Sequence, residues 1–205
     1  GRANWFPWWQ AEHEACRNGV IAMDMTFMGK FLVQGRDAGE FLDYISANAV
    51  NGECGLITYT QWLNEDGRLE ADLTVLKLTE EKFMVVATDT AHRHVETWMR
   101  RHVRDDQHVF ITDVTSAYGQ LNIQGPGSRE LLQSVTSVDL SNEVFPFRTV
   151  REIDIGLARV MCVRITYLGE LGYELNIPSE QALHVYDLLV EAGEKFGLQI
   201  GRAHV

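Results

Sequence analysis

The 205-residue chain has little cysteine and little proline, three of the first and four of the second. Cys16, Cys54 and Cys162 are odd in number and far apart, and no CxxC pair occurs. Neither a disulfide scaffold nor a thiolate zinc site is expected, and the pattern fits a reducing compartment. Basic residues are scarce as well: 18 Lys and Arg stand against 29 Asp and Glu, a formal net charge of −11. That balance argues against a nucleic-acid surface, which needs clustered cations. The one basic cluster, Arg100-Arg101-His102-Val103-Arg104, runs straight into Asp105-Asp106 and reads as a solvated helix end. No apolar run approaches the roughly 18 residues of a membrane span. No signal-peptide pattern opens the chain, and no internal repeat is visible.

Several chemical signatures are missing too. Gly169 to Gly172 is not a phosphate-binding loop, since no Lys-Ser/Thr follows, and no GxGxxG opens a helix. The seven histidines are scattered. His92 and His94 are two apart on a predicted helix, which puts them on different faces, so no metal site is expected there. No Ser-His-Asp or Cys-His arrangement has supporting sequence context.

What the chain does have is 45% hydrophobic residues, enough for one sizeable core or two modest ones. A helix is predicted over Trp9 to Asn18, closed by Gly19. Strands follow at Val20 to Met25 and Lys30 to Gly35, then a helix at Ala38 to Ala47. Leu56 to Leu63 and Leu69 to Leu78 flank Asn64-Glu65-Asp66-Gly67, where Asp-Gly signals a tight hairpin. Next come a strand at Phe83 to Ala87, a helix at Thr90 to Val103, strands at Val109 to Val114 and Gly119 to Gln124, and a helix at Arg129 to Val135. Strands at Arg151 to Ile155, Ala158 to Ile165 and Gly172 to Ile177 precede an amphipathic helix, Leu183 to Phe196, stopped by Gly197. Helices and strands mix without a regular βαβ repeat, so the expected class is α+β.

Two places carry candidate chemistry. In Leu69-Glu70-Ala71-Asp72-Leu73-Thr74-Val75, alternation places Asp72 with Glu70 and Thr74, away from the apolar face. The same pattern describes an ordinary solvent face of a half-buried hairpin. A carboxylate there gains interest only if other polar and aromatic groups converge on it. In Tyr167-Leu168-Gly169-Glu170-Leu171-Gly172-Tyr173-Glu174, two glycines three apart let the backbone bend sharply or approach a ligand, with Tyr167 and Glu174 flanking the bend. A plain β-turn with a surface Glu reads equally well.

Both ends look artificial. The chain starts at Gly1 without Met, and it closes on Ile200-Gly201-Arg202-Ala203-His204-Val205. That hexapeptide resembles a translated sequencing adapter, so residues 200–205 are expected to be a non-native tail; the alternative is a natural loop.

The motifs, taken together, resemble the folate-binding aminomethyltransferase superfamily, whose founder is the glycine cleavage T-protein. Within it, the chain is similar to the C-terminal half of sarcosine and dimethylglycine dehydrogenases. The phrases that carry this run from Gly1 to about Gln199. They include Asn4-Trp5-Phe6, Phe31-Leu32-Val33-Gln34-Gly35-Arg36-Asp37-Ala38, Tyr59-Thr60-Gln61-Trp62-Leu63-Asn64, Glu70 to Val75, Gln124-Gly125-Pro126, Asp139-Leu140-Ser141-Asn142 with Phe145-Pro146-Phe147, and Arg164 to Glu174.

The resemblance implies a three-lobed fold around a folate channel, of which this chain would hold two lobes. The first would be discontinuous, 1–51 plus 141–199, with the second inserted at 52–140 and the third missing. It implies that Asp72 is the essential aspartate beside the folate, that Tyr59 lies on the pterin side, that Tyr167 lies near the folate and that Glu174 hydrogen-bonds the pterin. The first acid of the family's paired motif is replaced by Ala71, and Ala87-Thr88 stand where a pterin-contacting asparagine is common. A family arginine would fall after Gln199. The implied cofactor is tetrahydrofolate, with FAD in an absent upstream domain that would be this module's partner. The implied substrate is a small methylated amine whose iminium or formaldehyde unit is captured as 5,10-methylenetetrahydrofolate. The module alone would oxidise nothing. The implied compartment is the bacterial cytoplasm or the mitochondrial matrix. A stand-alone glycine-cleavage-type aminomethyltransferase and a non-catalytic regulatory relative remain as alternatives.

Overall fold

A computed structural model describes residues 1–201 of the chain. The Asp-Gly signal marks a tight turn. Asn64 Oδ1 accepts from the backbone N–H of Asp66 and of Arg68, while Gly67 takes φ +73°, a left-handed conformation that side-chain-bearing residues rarely adopt. The turn joins β3 (Ile57–Leu63) to β4 (Leu69–Thr79), paired antiparallel with Gln61 opposite Asp72 and Tyr59 opposite Thr74.

That hairpin belongs to a compact unit spanning Phe27–Ser116. Its five-stranded antiparallel sheet has the order β3-β4-β5-β2-β6, with β2 at Gly29–Gln34, β5 at Lys82–Ala87 and β6 at Phe110–Asp113. One face is apolar, as period-2 alternation requires: Phe31, Val33, Trp62, Ala71, Leu73, Val75, Phe83 and Val85 are buried there. Onto it pack helix α2 (Ala38–Ile45), through Phe41 and Leu42, and helix α3 (His92–His102), through Val95 and Met99. The loop before β3 is pinned by a buried lysine. Lys77 Nζ donates to Asn51 Oδ1, the Gly52 carbonyl and Glu80 Oε2, all within 2.9 Å.

The other unit comprises Gly1–Thr26 and the chain from Ala117 onward. Its sheet has six strands in the order β11-β1-β7-β10-β9-β8. These are β1 (Ile21–Asp24), β7 (Tyr118–Gln124), β8 (Thr149–Ile155), β9 (Ala158–Arg164), β10 (Gly172–Pro178) and β11 (Gln199–Ile200). All neighbours are antiparallel except β1 and β11. Leu121, Ile123, Val160, Tyr173 and Leu175 line one face, covered by α4 (Ser128–Gln133) through Leu131 and Leu132, and by α5 (Ala182–Gly193) through Val185 and Leu189. The first helix, α1 (Phe6–Asn18), begins three residues earlier than its polar pattern suggests. Pro7 sits in its first turn, where the missing N–H costs no hydrogen bond.

The compact units divide at 26/27 and 116/117, whereas the lobes implied by the resemblance meet at 51/52 and 140/141. Residues 27–51 give β2 and α2 to the Phe27–Ser116 unit, where Phe31 and Phe41 share its core. Residues 117–140 give β7 and α4 to the other, where Ile123 and Leu131 share the second core. Within the stretch expected to be a tail, Ile200 pairs with Ala22, and the Gly201 N–H donates to the Ala22 carbonyl (2.8 Å). The remainder of that stretch, 202–205, lies outside the described residues.

Candidate functional site

Asp72 is exposed, on the sheet face opposite the helices of its unit. Two neighbours from β3 hold it. The Tyr59 hydroxyl donates to Asp72 Oδ2 at 2.6 Å, and Gln61 Nε2 donates to Asp72 Oδ1 at 2.9 Å. Each carboxylate oxygen therefore has one donor, which fixes the plane of the group. The hydrogen bond to Asp72, with smaller contributions from burial and from the Asp72 charge, holds the Tyr59 phenol above its ordinary range. A neutral phenol beside a carboxylate acts as donor and the carboxylate as acceptor. Tyr59 itself is 53% exposed, so the pair is open to a ligand.

The neighbouring positions do not join this group. Ala71 faces the apolar core, 4% exposed, so a carboxylate at 71 would be buried on the far side of the sheet from Asp72. Losing the first acid of the paired motif therefore takes nothing from Asp72 directly. The Glu70 carboxylate is engaged elsewhere, by Asn64 Nδ2 (2.9 Å) and His94 Nε2 (2.8 Å).

The second cluster lies on β10 and β7 of the other unit. Glu174 is half-buried and sits opposite Asn122. Asn122 Nδ2 donates to Glu174 Oε1 (3.1 Å), and Gln120 Nε2 donates to Glu174 Oε2 (3.4 Å) and to Asn122 Oδ1 (3.3 Å). Asn122 and Gln120 are buried, so the carboxylate is oriented by amides that cannot swing into water. The two glycines before Glu174 have different reasons. Gly169 takes φ +79° with open space around it, so the turn itself requires glycine. At Gly172 a Cβ would lie 2.1 Å from Gln124 Oε1, so the missing side chain makes room for the Gln124 amide, which accepts from Thr166 Oγ1. Glu170, at the tip, forms an ion pair with Arg17 of α1. Tyr167 is 47% exposed, beside the bend.

Tyr59 and Asp72 are thus brought into contact within one unit, while Tyr167 and Glu174 flank one bend of the other. Sequence reasoning missed Gln61, Asn122 and Gln120. For Gln61 a signal existed, because counting outward from the Asp66-Gly67 turn pairs it with Asp72. For Asn122 and Gln120 the signal was weaker: amides at alternate positions of a strand whose other residues, Leu121 and Ile123, belong in a core. Among the described residues, no group of three or more His, Cys, Asp or Glu side chains could hold a metal ion, and no helix is long and apolar enough to cross a membrane.

The family described as the GCVT N-terminal domain matches residues 1–203. The chain is 36% identical over 203 residues to a mitochondrial sarcosine dehydrogenase of Mus musculus, covering 92% of this chain and 22% of that protein. It is 32% identical over 204 residues to a formaldehyde-forming 4-methylaminobutanoate oxidase of Paenarthrobacter nicotinovorans, covering 100% of this chain and 25% of that one. It is also 30% identical over 201 residues to the mitochondrial pyruvate dehydrogenase phosphatase regulatory subunit of Mus musculus, 97% of this chain and 23% of that one. The chain thus spans about a quarter of the length of these curated relatives. Among solved structures, the glycine cleavage system aminomethyltransferase T of Bartonella henselae superposes with a TM-score of 0.80 over 93% of this chain and 50% of its own. At 23% identity this shows a shared fold.

Proposed function

Because the chain belongs to the GCVT N-terminal domain family of aminomethyltransferase-type proteins, the domain type found also in sarcosine and dimethylglycine dehydrogenases, we propose that it binds tetrahydrofolate and serves as the one-carbon transfer module of such an enzyme. The amine substrate would be oxidised by an FAD-bearing part of the same protein. The observation that carries this reading is the clamped, exposed Asp72, with one donor on each carboxylate oxygen.

The donor chemistry suits the proposed ligand. Glu174, oriented by Asn122 and Gln120, offers a carboxylate to the amidine-like edge of a pterin, for which two parallel charge-assisted hydrogen bonds are the favoured geometry. Tyr59 and Tyr167 offer exposed aromatic faces. When bound, tetrahydrofolate supplies the amine that takes up a one-carbon unit. Asp72 then acts in two ways. Its fixed negative charge offsets positive charge on an incoming iminium, and either oxygen can accept a proton from the reacting amine. Tyr59 and Gln61 keep that carboxylate from rotating, so little reorganisation is needed during transfer. Holding the two reactants side by side would supply much of the acceleration.

The test is calorimetric titration of the protein in its complete form with tetrahydrofolate, alongside Glu174→Ala and Asp72→Ala. Glu174→Ala is expected to weaken binding by roughly 1–3 kcal/mol, the loss for a hydrogen bond to a charged group. Asp72→Ala is expected to bind nearly normally and to fail in capturing formaldehyde equivalents. A second reading, a regulatory protein that keeps the fold without the chemistry, is favoured by the 30% identity to the phosphatase regulatory subunit. An unmutated protein that binds no tetrahydrofolate would select it.

A further inference from the structure

Four buried amide atoms on the Glu174 face of the six-stranded sheet have no hydrogen-bond partner among the described residues: Asn176 Nδ2, Asn176 Oδ1, Gln120 Oε1 and Gln124 Nε2. Register places them on one face, Asn176 beside Gln120 and Gln124 on the far side of the Glu174 row. Across β10 and β7, Gly172 pairs with Gln124, Glu174 with Asn122 and Asn176 with Gln120. The alternate residues Tyr173, Leu175, Leu121 and Ile123 all enter the apolar core, so Gln124, Asn122, Gln120, Glu174 and Asn176 share the opposite face. Asn176 and Gln120 are each 1% exposed and Gln124 is fully buried.

Buried polar groups are almost always paired, because an unpaired one forfeits its hydration with nothing in return. Four such atoms within three consecutive cross-strand rows, beside a carboxylate, are therefore an exception that calls for a cause. Between them they offer two donors and two acceptors. The Asn176 amide presents one of each side by side, the complement of a planar heterocycle whose edge also alternates donor and acceptor. A purely apolar ligand would leave all four atoms unpaired, and a simple anion would use only the donors.

We propose that Asn176, with Gln120 Oε1, is a ligand-reading edge that takes a mixed donor–acceptor edge of the reduced pterin ring, beyond the edge taken by Glu174. This rests on the tetrahydrofolate reading above. It makes Asn176 a specificity-determining residue for the head group, held ready at the expense of the ligand-free fold.

The test compares the protein in its complete form with its Asn176→Leu variant, using three probes: tetrahydrofolate, a tetrahydropterin head group alone, and p-aminobenzoylglutamate as the tail alone. Asn176→Leu is expected to weaken tetrahydrofolate and tetrahydropterin about tenfold or more and to change tail binding less than about twofold. The ligand-free melting temperature should be equal to or above that of the unmutated protein, because an unpaired buried amide is exchanged for an apolar group of the same branching. Asn176→Asp, which keeps the shape and loses the donor, gives a second measure of head-group affinity should the leucine variant fail to fold. Unchanged head-group affinity in either variant overturns the inference. So does a ligand-free melting temperature that falls by several degrees in Asn176→Leu, the mark of an amide paired through buried water. If the unmutated protein binds none of the three probes, the tetrahydrofolate reading falls, and this inference with it. If it binds them and Asn176→Leu binds equally, only the inference falls.

Discussion

Gln61 lies directly across the β3–β4 pair from Asp72, and its Nε2 donates to Asp72 Oδ1 at 2.9 Å while Tyr59 holds Oδ2. The carboxylate is set by two donors from one strand, so each donor can be removed without disturbing the apolar face behind it.

Gln61→Leu and Tyr59→Phe are each expected to slow one-carbon capture about three- to tenfold, the effect of a hydrogen bond to a charged acceptor that is partly compensated by water at an exposed site. Tetrahydrofolate affinity should change much less. The double variant should fall short of the product of the two effects, since both act through the same carboxylate. Single-turnover capture of formaldehyde equivalents measures all three.

The Tyr59 phenol titrates above its ordinary value of about 10, chiefly because it donates to Asp72. The sign is fixed by the charge: an adjacent carboxylate favours the protonated phenol. Asp72→Asn removes the negative acceptor, so the Tyr59 midpoint is expected to fall toward the ordinary value. Tyrosinate absorbance in an alkaline titration, with Tyr59→Phe as the blank, reads the shift. Stability linked to this group is complete below the ordinary phenol value and is lost as pH rises through the elevated one.

Two glycine substitutions should separate side-chain crowding from backbone crowding. Gly172→Ala puts a methyl against the Gln124 amide and is expected to cost roughly 1–3 kcal/mol, most of it recovered by adding Gln124→Ala. Gly35→Ala meets the His108 carbonyl at 2.0 Å and sits at φ +127°, so its larger loss should not be rescued by His108→Ala. Urea denaturation of the single and double variants distinguishes the two cases.

Lys77→Met should loosen the loop that precedes β3. Lys77 Nζ is the donor to Asn51 Oδ1 and the Gly52 carbonyl, and methionine preserves the packing while leaving both acceptors unserved. A loss of about 1–3 kcal/mol is expected, since the third partner, Glu80, is mostly solvated. Hydrogen exchange should rise first across residues 51–56.

Several of these relationships were legible in the sequence in part. The Asp66-Gly67 turn fixes where β3 ends and β4 begins, and alternation along Leu69 to Val75 puts Asp72 on the face away from the core. The same alternation, read one residue back, already placed Ala71 inward. Yet only the burial of Ala71 shows that an acid there would stand on the wrong side of the sheet to help Asp72. The division into compact units is not legible in the sequence, because β2 and β7 are ordinary strands whose partners lie far off: β2 joins β5 and β6, and β7 joins β1 and β10.

By itself the sequence determined the α+β class, nearly every strand and helix, and the family, because these rest on local periodicity, turn chemistry and ordered motifs. Only the tertiary structure decided who holds Glu174 and what surrounds it. Asn122 and Gln120 lie more than 50 residues before it, and nothing local to β7 says that β10 will pair there. The unpaired Asn176 amide is likewise invisible in one dimension. Whether a polar atom has a partner is a property of everything packed around it, and strand pairing across long sequence separations is what brings those surroundings together.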